Sequence, residues 1–381
     1  MLPSQRALFD IPREVCFLNA ASWSPLPLAT QEAGRAAVGR KGRPWTIDPG
    51  FAAQQHERAR QAAAALINAD ADDVALISSI SYGVATVGTM LALPRGSRVL
   101  VLQDDHSSPV LEWMGRAEAA GITVETIAQP ADGDWTSAIL AAIERPGAPP
   151  VSLASISCVH WSDGCVIDLD RVGPALRKAG AALLVDATQA VGAMPVDVKR
   201  IDPDFLLFPT YKWTLGPYGR AFLYVAKRNQ DGVPLEQTPA GRRAIAAERL
   251  PYMADTRYVD NARRFDMGER DHFIGLEMAA MGMELVQGWG AALSERLRFL
   301  TDRLAAGLQD SGVATMPRDR RAPHLLCLSL AQGIPAELPE RLAAENVHVA
   351  LRLGRLRISP HGYNDEADVD RFLQVFKRLR N

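Results

Sequence analysis

The chain has 381 residues with 42 basic and 44 acidic side chains, a formal net charge of −2 with both signs well mixed, which excludes a nucleic-acid stripe or an anionic-membrane patch. Its length suits two lobes of one enzyme subunit; MLPSQRALFD is not expected to be a secretory signal, and no apolar run approaches the roughly 20 residues of a membrane span. Cys16, Cys158, Cys165 and Cys327 lack CxxC or zinc-type spacing, so reduced thiols, no bound metal and a cytoplasmic location are expected.

Near the N-terminus, EVCFLNAASWSPLPLAT pairs a short apolar strand with a turn of small residues and prolines. The Ala and Leu spacing over 54–69 predicts an amphipathic helix. VALISSISYGVATVGTMLAL then runs from strand to helix through small hydroxyl residues. The free amides and positive dipole end of such a helix suit a phosphate, although Ser81 would serve equally as a cap. RVLVLQDDHSSPVLEWM is a strand followed by Asp105, His106 and a helix ending near Trp113. Strands at 123–127, 151–159 and 182–186 alternate with helices at 135–143 and 169–179. This alternation predicts a mainly parallel sheet with helices on both faces and a site at the C-terminal rim of its strands.

The apolar runs at 182–185 and 205–208 end in chemistry-bearing residues. Asp186 and Gln189 follow the first; Thr210, Tyr211 and Lys212 follow the second. A third run, 221–225, comes after a turn rich in Gly and Pro. A carboxylate and a lysine at neighbouring strand ends suit a lysine Schiff base beside a protonated pyridine nitrogen. Beyond them, 231–257 reads as a surface excursion rich in Pro, Gly, Arg and Ala. NARRFDMGERDHFIGLEMAAMG leads into a smaller lobe with helices at 291–308 and 338–345, strands at 325–330 and 347–350, and a final helix.

DATQAVG followed by TYKWTLGPYG, with these strands around them, resembles the class V aminotransferase family of pyridoxal-phosphate enzymes. That family includes cysteine desulfurases, isopenicillin N epimerase-like proteins and kynureninase. The resemblance implies fold type I: an α/β large domain with a mainly parallel seven-stranded sheet, as in aspartate aminotransferase, and a smaller α+β domain. The corresponding divisions are an N-terminal segment at 1–20 near the active site, a cofactor domain at 21–257 and a small domain at 258–381.

By the same resemblance the cofactor is pyridoxal 5'-phosphate, Lys212 forms the Schiff base, Asp186 pairs with the pyridine nitrogen and His106 stacks on the ring. Ser81 and the Ile80 amide hold phosphate. Tyr211 replaces a family His on that phosphate, and Thr210 stands in for a hydroxyl lost where Pro209 replaces Ser. Trp161, in SISCVHWSDG, occupies a position often held by Asn, which leaves Gln189 to contact the cofactor hydroxyl. Asn19, Ala20, Ser22 and Trp23 border the substrate. Arg357, in an R-x-S-x-x-x-YN ending, clamps the substrate carboxylate. Arg264, Gly268, Glu269 and above all Arg270 reach towards the partner's phosphate in a homodimer.

Lysine-based proton transfer at the α carbon serves transamination with a 2-oxo acid, epimerisation or loss of a leaving group. Family desulfurases also carry a mobile nucleophilic Cys shortly before the substrate Arg. ENVHVALRLGRLRIS contains none, and Cys327 lies upstream in an apolar run, so a persulfide-type desulfurase is disfavoured. An aminotransferase acting on an amino acid is the leading expectation, with an epimerase or a direct C–S or C–N lyase as alternatives. A regulatory protein that merely binds the cofactor would show damage among Asp186, Lys212 and Arg357, and all three are present.

Overall fold

The computed structural model describes residues 1–248, 250–272 and 274–380, with the backbone alone at 310. Seven strands form the central sheet: β1 (Val74–Ile77), β2 (Arg98–Leu102), β3 (Thr123–Ile127), β4 (Val151–Ser157), β5 (Ala182–Asp186), β6 (Phe205–Pro209) and β7 (Ala221–Val225). Their order is β1-β7-β6-β5-β4-β2-β3. Neighbours from β6 to β3 are parallel, while β7 is antiparallel to both β6 and β1. Strands such as FLLFP read as unbroken apolar runs because helices cover both faces of the sheet.

Alternation along each strand divides the apolar residues between two cores. Val99, Val101, Leu184 and Leu207 pack under α3 (Ile80–Met90) and α4 (Ser108–Ala120). Leu100, Leu102, Leu183 and Leu206 pack on the opposite face, with α5 (Trp135–Ile143) and α6 (Leu169–Lys178). Gly83 lets α3 lie close on β6, since a Cβ there would fall 2.0 Å from Leu207 Cδ2. The helix expected at 54–69 runs over Phe51–Leu66 and stops before Asn68, whose φ of 56° is left-handed.

The smaller lobe has its own core, from Leu300 and Leu304 through Leu326 and Leu328 to Phe372 and Phe376. Its sheet contains β8 (Leu326–Ser329), β9 (Ala350–Arg352) and β10 (Arg355–Ile358), with β10 antiparallel between the other two. Cys16–Phe17 pairs in parallel with Val347–His348, and Cys16 and Leu18 join this core, whereas Phe9 and Ala20 pack in the large lobe's core. Contacts run across the division expected at 257/258. Asp266 accepts from Arg60 at 2.7 Å in a fully buried ion pair, and the helix Gly275–Trp289 packs on Leu28–Lys41 and Phe51–Leu66. These contacts keep residues 262–289 with the large lobe. The excursion at 231–257 contains an antiparallel pair, Arg242–Ile245 with Met253–Tyr258. No helix among the described residues is long and apolar enough to cross a membrane.

Sheet polarity sets the position of the site. β1, β2, β4, β5 and β6 end at one rim, and the antiparallel β7 begins there. Residues 78–81, 106, 186, 212 and 220 therefore converge although they follow or precede different strands.

Candidate active site

A cavity of about 230 Å³ opens at this rim. One end is a cradle of hydroxyls and helix N-termini: Ser78, Ser79, Ile80 and Ser81 at the start of α3, and Ser107 and Ser108 at the start of α4. Ser79 caps α3 by accepting from the Tyr82 amide at 3.1 Å, and Ser81 Oγ lies 3.0 Å from Ser108 Oγ. Arg220 completes this end. It is buried, and the hydrogen bond its guanidinium makes among the described residues is to Met267 Sδ, so the cation has no acidic partner there. Free helix amides, hydroxyls and an unpaired cation together suit a phosphate dianion.

Asp186 terminates β5 at the floor of the cavity, 3% exposed, and Oδ1 accepts from the Thr188 amide at 2.8 Å. The Thr188 hydroxyl lines the same cavity and is buried without a partner. Lys212 follows β6 and is 6% exposed. Burial, then the nearby Arg357, lower its amine to about 7 against the opposing pull of Asp186. His106 stands on the wall, edge-on to Trp161 with ring centroids 5.9 Å apart. Burial, then Lys212, push its imidazole below the usual range.

A second cavity of about 150 Å³ shares His106, Tyr211, Lys212 and Tyr218 with the first. Its far wall is formed by Ser22, Trp23, Trp161, Arg352 and Arg357. Arg357 donates to Ser22 Oγ at 2.8 Å and to the Trp161 carbonyl at 2.9 Å, while its Nε is buried without a partner. Burial lowers this guanidinium to about 10.

Of the other residues expected at the site, Tyr211 lines it and several stand outside it. Gln189 is used structurally: it accepts from Trp213 Nε1 at 2.9 Å and donates to the Ala21 carbonyl at 3.3 Å. The Thr210 hydroxyl donates to the Pro217 carbonyl at 2.5 Å, so it braces the turn that follows rather than lining the cavity. Tyr211 lines both cavities, its ring 4.1 Å from that of Tyr218. Asn19 pairs through its backbone with Ser359, and Ala20 is buried beside it; neither lines the cavities. Arg270 binds Asp266 of its own chain, and Arg264 donates to the Val259 and Gly232 carbonyls.

The sequence from residue 48 to residue 372 matches the family described as Aminotransferase class-V. The chain belongs to this family. A probable cysteine desulfurase of Methanothermobacter thermautotrophicus is 29% identical over 76% of this chain and 73% of its own length. An uncharacterized aminotransferase of Bacillus subtilis, YcbU, is 28% identical over 84% of this chain and 82% of its own. The fold superimposes on that of the cystine C–S lyase C-DES, solved with cysteine persulfide, at a TM-score of 0.84 and 19% identity, covering 96% of this chain and 98% of the other.

This is a pyridoxal-phosphate-dependent class V enzyme. The rim fits the cofactor on its own terms: among the described residues the buried Thr188 hydroxyl has no hydrogen-bond partner and Arg220 has no acidic one. The desulfurase names of the relatives run against the expectation that a persulfide-type desulfurase is disfavoured.

Thr188, Tyr218, Arg220 and Arg352 line the cavities although the sequence did not single them out. Arg220 carried a signal: a lone cation in the turn GPYGR, entering an otherwise apolar strand.

Proposed function

We propose that this enzyme cleaves the C–S bond of a cysteine-derived amino acid by direct elimination, without forming a persulfide on the protein. One observation carries the reading. β9 and β10 are joined by the two-residue turn Leu353–Gly354, with φ of 46° and 73°, a type I′ geometry that leaves no mobile segment ahead of Arg357. No cysteine lines either cavity, and Cys16, Cys158, Cys165 and Cys327 are all buried. The names of the relatives point to sulfur chemistry, and the cavities offer no thiol to receive it.

When bound, pyridoxal phosphate supplies a carbonyl that captures the substrate amine and an electron sink that acidifies the α C–H bond. In this reading Ile80, Ser81 and Arg220 hold its phosphate, Thr188 its ring hydroxyl, and Asp186 a protonated pyridine nitrogen, with His106 against the ring. Arg357 and Ser22 take the substrate carboxylate. Lys212, whose amine is largely neutral near pH 7, accepts the α proton. The Cα–H and Cβ–S bonds break, the proton passes to Lys212, and sulfur leaves with the bonding pair, as a thiolate from an S-substituted cysteine or as a persulfide anion from cystine. The three-carbon remainder gains one water and ends as pyruvate and ammonium. The working unit proposed is a homodimer.

Transamination is the second reading, favoured by the likeness to YcbU. Incubation of the holoenzyme with cystine or S-substituted cysteines, with and without a 2-oxo acid, tests both. Pyruvate, ammonium and the sulfur product, a thiol from S-substituted cysteines or cysteine persulfide from cystine, released in equal amounts without a 2-oxo acid support elimination. Turnover that requires the 2-oxo acid means transamination, and alanine with sulfur left on a protein cysteine means a persulfide relay.

A further inference from the structure

Three arginines occupy one face of the β9–β10 hairpin. Arg352 faces Arg355 across the strands and Arg357 lies two residues further on, so pleating directs all three to the same side. All of their hydrogen bonds among the described residues end on neutral oxygens. Arg352 donates to the Leu351 carbonyl and Ser22 Oγ, Arg355 to Gln129 Oε1, and Arg357 to the Trp161 carbonyl and Ser22 Oγ.

Arg352 and Arg357 both line the cavity beside Lys212. They share one acceptor, Ser22 Oγ, at 3.2 and 2.8 Å, so their guanidinium groups are no farther apart than two hydrogen bonds laid end to end. Like charges at that spacing repel, and Arg357 is almost wholly removed from the water that would screen them. Among the described residues the one carboxylate lining the two cavities is Asp186, on the floor of the cofactor end. A substrate α-carboxylate on Arg357 neutralises one guanidinium and leaves the other.

We propose that Arg352 is a second anion-binding residue, and that the substrate is an amino acid whose short side chain ends in a carboxylate or an oxidised sulfur group. The single bridging hydroxyl limits the reach between the two anions to that of a β or γ substituent. This deepens the function proposed above, because it rests on amino-acid binding at Arg357, but it is independent of which bond is then broken.

Aspartate and asparagine form a nearly isosteric charged and neutral pair, and their binding to the holoenzyme can be followed by the change in its visible absorption without any C–S cleavage. Aspartate is expected to bind at least tenfold more tightly, the lower end of what a charge-assisted contact contributes. Arg352→Leu should remove that ratio while leaving asparagine within about twofold. Arg352→Lys should keep part of it, which guards against a folding artefact. Arg355→Leu should leave the ratio intact. Equal binding of the two amino acids to the wild-type enzyme, or equal weakening of both by Arg352→Leu, would overturn the proposal. A preserved ratio with no pyruvate released from cystine or S-substituted cysteines would remove the elimination reading alone.

Discussion

Cys327 stands directly across the strand pair from Arg357, its register partner on β8. It is the thiol placed most suggestively for a persulfide relay, yet it is 5% exposed and burial pushes it up to about 12. A thiol that keeps its proton and does not line the cleft is a poor nucleophile. Cys327→Ala should therefore retain turnover within about twofold and lose about 1–2 kcal/mol of stability through the missing buried sulfur. Thermal denaturation and product release, measured on the same preparation, check both. A hundredfold loss of turnover in a folded variant would bring the relay back.

The depressed affinity of Lys212 for protons has a sign that can be tested. Its amine is nucleophilic only when neutral, so uptake of pyridoxal phosphate by the apoprotein should accelerate as pH rises and level off above about 7. A plateau reached only near pH 10 would mean that burial does not act on this amine. Lys212→Ala should abolish turnover and leave no cofactor adduct for borohydride to trap.

Arg220 should matter to the cofactor rather than to the amino acid. Arg220→Ala is expected to weaken pyridoxal-phosphate binding by about tenfold or more, as loss of a charge-assisted contact does, and to leave binding of the unphosphorylated pyridoxal unchanged. Fluorescence titration of the apoprotein with both compounds distinguishes a phosphate contact from a general packing defect.

Arg357→Ala should raise the apparent KM for amino acids roughly tenfold to a hundredfold, about 1.5–3 kcal/mol, with the cofactor spectrum unchanged. Arg355→Ala should change it little, because Arg355 turns to Gln129. Steady-state kinetics on both variants decide whether one hairpin position or its overall charge does the binding.

A homodimer is expected in solution. Trp23 and Tyr218 stand at the cavity mouth with ring centroids 5.6 Å apart and are 66% and 65% exposed, an apolar pair for a second copy to cover. Light scattering that shows an active monomer would rule this out.

Lys212 and Asp186 were legible because Asp186 ends one apolar strand and Lys212 lies three residues beyond another, and strand polarity alone sends such residues to one rim. Gln189 and Thr210 lie just as close in sequence, but proximity does not say which oxygen or nitrogen remains free. Trp213 and the Pro217 carbonyl had already engaged them. The contacts that cross 257/258 were hidden for a related reason: 231–257 looks like a linker in composition, while Asp266 beyond it is pinned to Arg60. Arg352 was hidden because its meaning depends on hairpin register and on Ser22, 330 residues away in sequence.

That separation has a consequence for biosynthesis. The cofactor end of the cleft draws on residues 78–220, whereas the substrate end needs Ser22 to meet Arg357, 335 positions later. On a ribosome the second half of the site must wait until nearly the whole chain has emerged. A nascent polypeptide stalled after residue 300 could assemble most of the phosphate cradle yet could not close a grip on an amino acid. The order of synthesis thus places selectivity after cofactor capture.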